Sequence, residues 1–141
     1  MPNDSNVFVD SNILLYAASG RADDAPKAAR ARELLTSGQV SLSFQVLQEF
    51  YANAVSPRKL GMTPAEASAW CAAWIQFPIA LLGADTFVRT LELVQRYQIS
   101  NWDAAIIAAA EQLGCKKVYS EDLNHGQSYD GVYVENPFLD I

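Results

Sequence analysis

The sequence has one histidine, His125, and two cysteines, Cys71 and Cys115, too few and too scattered for the His and Cys ligand set that zinc prefers. Cys71 falls in a helical pattern between Trp70 and Trp74, and Cys115 follows Gly114. Neither has a reactive setting, so two reduced, buried thiols are expected. Long apolar runs are missing too. The longest, residues 104–110, is far below the roughly 20 residues of a membrane span. Met1-Pro2-Asn3-Asp4 lacks the basic and apolar character of a signal peptide. A soluble, cytoplasmic protein with no membrane association is the expectation. Positive charge is scarce: ten Lys and Arg against 16 Asp and Glu give a net charge of −6. That excludes a protein that holds nucleic acid by diffuse attraction alone.

What is present is enough for a core. Half of the 141 residues are hydrophobic and 18% are charged, which fits one compact domain over residues 1–141, with no compositional sign of disorder. No internal repeat, low-complexity tract or linker interrupts the chain.

Strand and helix signals alternate. Val7-Phe8-Val9 reads as a strand ending at Asp10, followed by a short helix over residues 13–18. Residues 20–26 are a polar break before an alanine-rich helix that ends near Gly38. Residues 40–43 form the next strand, and apolar residues from Phe44 to Ala54 at helical spacing place Glu49 inside a helix. Thr63-Pro64-Ala65-Glu66 combines an N-cap, a proline at the first helical position and a capping-box glutamate. Residues 79–82 suggest a short strand, and Asp85 can cap the helix after it. Ser100-Asn101-Trp102-Asp103 opens a helix that Gly114 stops. Residues 117–120 and 132–134 read as strands, with a turn-rich loop over 121–128. This order predicts an α/β sandwich around a mainly parallel sheet with right-handed crossovers.

In such sheets ligands bind beyond the carboxyl ends of the strands. Asp10 and Asp122 follow strands, Asp103 lies in the first turn of a helix that starts at the same edge, and Glu49 sits about a turn and a half into its helix. Four carboxylates drawn together raise one another's pKa and resist joint ionisation, which a divalent cation resolves. Oxygen-only ligands suit Mg²⁺ or Mn²⁺, and hard metals activate water and neutralise charge on a phosphate under attack. Phosphodiester hydrolysis is the matching chemistry. Two such cations, four positive charges, would also bring −6 to about −2. Arg21, Lys27, Arg30, Arg32, Arg58 and Lys59 are the basic residues available to flank a groove.

Each acid also has a plain structural role open to it. Asp10 can cap the helix that follows, Asp103 can belong to a capping arrangement, Asp122 can stabilise a turn, and Glu49 can face solvent. Taken singly these are as good; taken as a set at one edge, the acids favour a site. His125 reads as a solvated loop residue outside the catalytic set. Trp70, Trp74 and Phe77 form either a partner surface or core, with core favoured for at least one tryptophan.

Phe8-Val9-Asp10-Ser11-Asn12-Ile13-Leu14, Gln48-Glu49-Phe50, Trp102-Asp103-Ala104-Ala105-Ile106 and residues 119–126 resemble the signature segments of PIN domains. The ending over residues 131–138 is similar to that of VapC-type toxins of bacterial toxin-antitoxin pairs. The likeness covers nearly the whole chain. It implies a three-layer α/β/α fold, dependence on Mg²⁺ or Mn²⁺, endonucleolytic cleavage of RNA, a homodimer and a cognate antitoxin protein. The family's four acids fall on Asp10, Glu49, Asp103 and Asp122, as both metal ligands and catalytic residues. Asn12 and Ser120 match supporting positions that orient the carboxylates or a water; a turn asparagine and a strand-end serine are equally plain readings.

Two other functions compete. A phosphotransferase with an aspartyl nucleophile at Asp10 wants a second aspartate two residues on, where Asn12 stands, and a lysine at a later strand end, whereas Lys116 and Lys117 precede theirs. A catalytically silent PIN-like module that binds RNA or protein would be marked by loss of an acid, and all four are present.

Overall fold

The structure, a computed structural model, describes residues 6–141; the segment 1–5, read above for a leader, lies outside them. Its centre is β1 (Asn6–Val9), whose Phe8 and Val9 are fully buried. A β-branched and aromatic run buried on both faces belongs in the middle of a parallel sheet. Here β1 pairs in parallel with β2 (Gln39–Ser43) on one side and with β4 (Lys117–Tyr119) on the other. The six strands run in the order β3-β2-β1-β4-β6-β5. β3 (Ile79–Ala80) and β6 (Val132–Glu135) continue the parallel pattern, and β5 (Ser128–Tyr129) closes one edge antiparallel to β6. Strand order reverses at β1, so the switch point lies between β1 and β4.

Six α-helices complete the described residues. The helices α1 (Ser11–Ala18), α2 (Ala25–Ser37), α3 (Phe44–Val55) and α4 (Pro64–Trp74) pack in succession, α1 against α2 and α3, and α3 against α4. The pair α5 (Ala84–Tyr97) and α6 (Asn101–Gln112) packs together, and α6 covers β2, β3, β4 and β6. The result is the expected α/β/α sandwich with a mostly parallel sheet. One cluster of buried side chains joins the layers, including Phe8, Leu14, Leu42, Phe50, Ile107 and Val118.

Local signals explain most boundaries. The Thr63 hydroxyl accepts the Glu66 N–H at 3.1 Å and the Glu66 carboxylate accepts the Thr63 N–H at 3.1 Å, which completes the capping box of α4. Ser100 caps α6 through the Asp103 N–H, and Gly114 takes φ +74° just past its end, a conformation that a Cβ disfavours. Trp74 is buried against Phe50 and Trp70, whereas Trp70 is half-buried.

Five details differ from the sequence reading. The break over 20–26 contains a 3-10 turn (Ala22–Asp24) and already starts α2. The strand expected over 79–82 is only two residues long, leaving Leu81 and Leu82 exposed. Asp85 does not cap α5; Gly83 occupies that position without a side-chain bond, and Asp85 sits in the first turn. Cys71 is half-buried rather than buried, because it lies beside an open groove between α3 and α4, while Cys115 is in the core. Finally, β5 is a strand that the sequence does not announce, its Ser128 falling in the expected loop over 121–128; Asp130-Gly131 lies between the paired Tyr129 and Val132 with both φ values positive, the backbone of a two-residue hairpin turn.

Candidate active site

The four acids predicted from the sequence all lie at the carboxyl edge of the sheet or on the helices that begin there. Asp10 directly follows β1 and is 7% exposed. Its backbone N–H reaches the Tyr119 carbonyl at 3.0 Å, which continues the β1–β4 ladder and fixes Asp10 beside Ser120. One carboxylate oxygen accepts the Ser11 N–H at 2.8 Å, so Asp10 does cap α1. The other, Oδ2, accepts the Ser120 hydroxyl at 2.8 Å. Capping and site membership thus coexist in one side chain.

Among the described residues no cation pairs with Asp10. Burial pushes its carboxyl up from 3.8 to about 6, and the Glu49 and Asp122 carboxylates add to the rise, against the opposing bonds from Ser120 and Ser11. Asp10 therefore feels the charge of both Glu49 and Asp122. Glu49, on α3, accepts the Ser11 hydroxyl at 3.2 Å and the Gln45 amide at 3.0 Å. Asp122 accepts the Asn12 amide at 3.2 Å.

Asp103 stands somewhat apart. Its backbone N–H is capped by Ser100, and its carboxylate makes no hydrogen bond or ion pair among the described residues. Its nearest tie to the others is Gln45, whose Nε2 bridges Glu49 and the Trp102 carbonyl at 3.2 Å. On the other side, Asp103 adds to a rise in the Tyr129 phenol pKa that burial dominates. As the side chains stand, no three Asp, Glu, His or Cys groups among the described residues close into a ligand set.

The supporting residues behave as more than turn formers. Ser120, fully buried, donates to Asp10 while its oxygen accepts the Asp122 N–H at 3.1 Å and the Leu123 N–H at 3.3 Å. Asn12 binds Asp122 through its amide nitrogen and accepts the Glu121 N–H at 3.2 Å through its oxygen. Sequence reasoning missed the roles of Ser11, Gln45, Tyr16 and Glu121, and it offered Lys27 as a groove-flanking cation where the structure pairs it with Glu121. Gln45 lies one helical turn before Glu49, the spacing that makes side chains meet, and this was the available signal. Glu121 accepts the Tyr16 hydroxyl at 2.7 Å and pairs with Lys27, whose ammonium lies over the Tyr16 ring at 4.9 Å. Glu121 is thereby turned toward Lys27, although it neighbours Asp122. His125 is exposed, as expected of a loop histidine, and its ring also accepts the Asn136 N–H at 3.0 Å.

Beside these acids opens a cleft of about 340 Å³ whose lining includes Ser11, Asn12, Glu121, Asp122, Arg21 and Lys59. An oxygen-only donor set around a buried carboxylate without a counter-cation fits a hard divalent cation. Fold, switch point and acids now stand together, and the PIN domain model matches residues 7–128.

The chain belongs to the PIN domain family. Solved structures resemble it at low identity. The Mycobacterium tuberculosis VapC20 structure, a Sarcin-Ricin loop cleaving toxin, shares 23% identity with a TM-score of 0.66, covering 82% of this chain and 89% of that one. A toxin-antitoxin complex from Klebsiella pneumoniae gives 22% identity and a TM-score of 0.69, over 94% of this chain and 98% of that one. VapBC2 from Rickettsia felis, bound to a DNA fragment from its promoter, gives 17% and 0.66, over 93% and 98%. No curated protein sequence matches closely enough to count as a relative. At these identities the likeness shows the fold.

Proposed function

We propose that this PIN domain, as a single unit over the whole chain, is a metal-dependent endoribonuclease and the toxin of a bacterial type II toxin-antitoxin pair. The observation that carries the reading is Asp10: a buried carboxylate pushed up to about 6, braced by Ser120 and Ser11, with Glu49 and Asp122 acting on it across the switch point. Asp10, Glu49, Asp103 and Asp122 would hold Mg²⁺ or Mn²⁺. Mg²⁺ usually keeps several waters and takes one or two carboxylates directly, so a loose group of acids suits it better than a closed cage. When bound, the cation supplies an activated water and neutralises charge developing on the scissile phosphate.

The chain's own residues supply position. Ser120 and the Ser11 N–H fix both oxygens of Asp10, so its orientation does not depend on the cation. Ser11 and Gln45 hold the two oxygens of Glu49, and Asn12 holds Asp122. Lys27 and Tyr16 draw Glu121 aside, which keeps a fifth carboxylate from competing at the site.

Support for protein partners, an antitoxin and a second copy of the chain in a homodimer, comes from exposed apolar surface. Phe44 and Tyr51 flank a groove between α3 and α4, and Phe87, Val88 and Leu91 line the outer side of α5. Toxin-antitoxin assemblies among the structural neighbours support the same assignment. A cytoplasmic location accords with the absence, among the described residues, of any helix long and apolar enough to cross a membrane.

The test is cleavage of a mixed pool of structured and single-stranded RNAs by wild type and by Glu49→Gln, in Mg²⁺, in Mn²⁺ and in excess EDTA. Cutting that needs the metal and falls by about 100-fold or more in the variant supports the reading. An inert wild type beside an active control nuclease favours a binding module.

A further inference from the structure

The acidic total leaves open how RNA is held, and the distribution of ion pairs answers it. Of the ten basic residues, Lys27, Arg30, Arg89, Arg96 and Lys117 are each paired with a carboxylate. Arg32 places its guanidinium on the Ala17 and Ser19 carbonyls at the end of α1. That leaves Arg21, Arg58, Lys59 and Lys116 without an acidic partner among the described residues. Lys116 precedes β4, at the opposite edge of the sheet from the acids. The other three lie in two connections that meet beside the cleft.

The meeting is fixed by backbone contacts. Arg21 lies between α1 and α2, with its N–H on the Ser19 hydroxyl at 3.2 Å, and its guanidinium donates to the Lys59 carbonyl at 3.3 Å. Lys59 sits in the turn after α3, held by its N–H on the Ser56 carbonyl at 3.0 Å; Gly61, at φ +61°, bonds the same carbonyl at 2.9 Å. Both side chains are exposed, and both line the cleft that Ser11, Asn12 and Asp122 also line. Asp24, also on the cleft, is bonded to Ser19 and lies beyond ion-pair range of either cation. The cleft is therefore lined both by acids, Asp122 among them, and by two cations without an acidic partner among the described residues.

Resting on the nuclease reading, we propose that Arg21 and Lys59 form a backbone-binding rim that takes an RNA phosphate adjoining the scissile one, with Arg58 adding charge behind them. The acids cannot hold RNA themselves, since they repel it until a cation is bound. Two or three cations beside the acids position the strand locally, without the diffuse field that a net charge of −6 denies. Such contacts read backbone rather than base, so they set affinity and register and leave sequence choice to other groups.

The experiment uses a fluorescent RNA oligonucleotide that the wild-type protein cleaves, selected from a random pool. KM and kcat are measured from 50 to about 300 mM KCl for wild type, Arg21→Gln, Lys59→Gln, the double variant, Arg21→Lys and Lys116→Gln. Each neutralised rim residue is expected to raise KM roughly threefold to tenfold at low salt, with kcat within about twofold, and to lower the slope of log KM against log salt by about 0.7. Arg21→Lys keeps the slope, and Lys116→Gln keeps both KM and slope. An unchanged KM and slope in the double variant of a cutting enzyme overturns the rim, as does an equal effect from Lys116→Gln. A wild type that cuts no RNA overturns the nuclease reading instead, a result the kinetic comparison cannot be confused with.

Discussion

The Ser120 hydroxyl donates to Asp10 Oδ2 at 2.8 Å while accepting the Asp122 N–H at 3.1 Å, so one buried oxygen links two of the four acids across the β1–β4 boundary. The Asp10 carboxylate and the Asp122 backbone are thereby tied to one side chain. Ser120→Ala removes the bond to Asp10 and leaves the Asp122 loop unbraced. The expected outcome is a loss of about 10- to 100-fold in Mn²⁺ affinity and in cleavage, read by metal titration and by RNA cutting, with circular dichroism unchanged.

Asp10 is costly to the metal-free fold. Its carboxyl rises from 3.8 to about 6, so the stability it contributes is complete below the unfolded value of 3.8 and lost as pH rises through about 6. Asp10→Asn removes that penalty. In EDTA the variant is expected to match wild type near pH 4 and to exceed it by on the order of 2 kcal/mol at pH 7.5, after allowing for the hydrogen bond from Ser120 that an amide cannot fully replace. Urea unfolding at the two pH values checks this; a variant no more stable at pH 7.5 contradicts it.

The same carboxyl governs metal loading. Protons and cations compete for it, so Mg²⁺-dependent cleavage should decline as pH falls through about 6 and recover with added metal. A cleavage profile taken from pH 5 to 8 at two Mg²⁺ concentrations reads the shift directly.

Asp130, in the β5–β6 turn, runs the other way. Arg96, Tyr97 and Arg89 all donate to it, and these contacts hold its carboxyl well below the ordinary range. The stability it gives is present above its unfolded value near 3.8 and is lost as pH falls through its depressed folded one. Asp130→Asn should lower the melting temperature at pH 7 and reduce its fall on going from pH 5 to 3, as thermal melts would show.

Lys27→Met should free Glu121 beside Asp122. With Lys27 gone, the half-buried Glu121 keeps only Tyr16, and a carboxylate that turns toward the site competes with its neighbours. Weaker cleavage at low Mg²⁺, restored by Lys27→Arg, is the expected result, together with a stability loss of about 1 kcal/mol in chemical denaturation.

The sequence was most legible where one residue type serves one purpose. Thr63 and Glu66 marked α4 because a capping box satisfies its own orphan amides, and Gly114 marked the end of α6 because the backbone there needs a positive φ. The edge position of Asp10 and Asp122 followed from strand order, which the pairing of β1 with β4 confirms. Less legible were features that depend on distant partners. Nothing near Ser11 or Lys27 in the chain announces Glu49 or Glu121, 38 and 94 residues away. Asp85 has the residue type of a cap, but the chain enters α5 two residues earlier, at Gly83. The short β5 was hidden because two residues carry no periodicity, although Asp130-Gly131 held the turn signal.

On the proposed function, these carboxylates, contributed by separate elements, act as one divalent-cation site. Titration of the EDTA-stripped protein with Mn²⁺, followed by electron paramagnetic resonance at pH 7.5, tests it most directly. Saturable binding is expected, displaced by Mg²⁺ and abolished by Asp10→Asn while the variant remains folded. Absence of bound Mn²⁺ in wild type, or undiminished binding in Asp10→Asn, would contradict it.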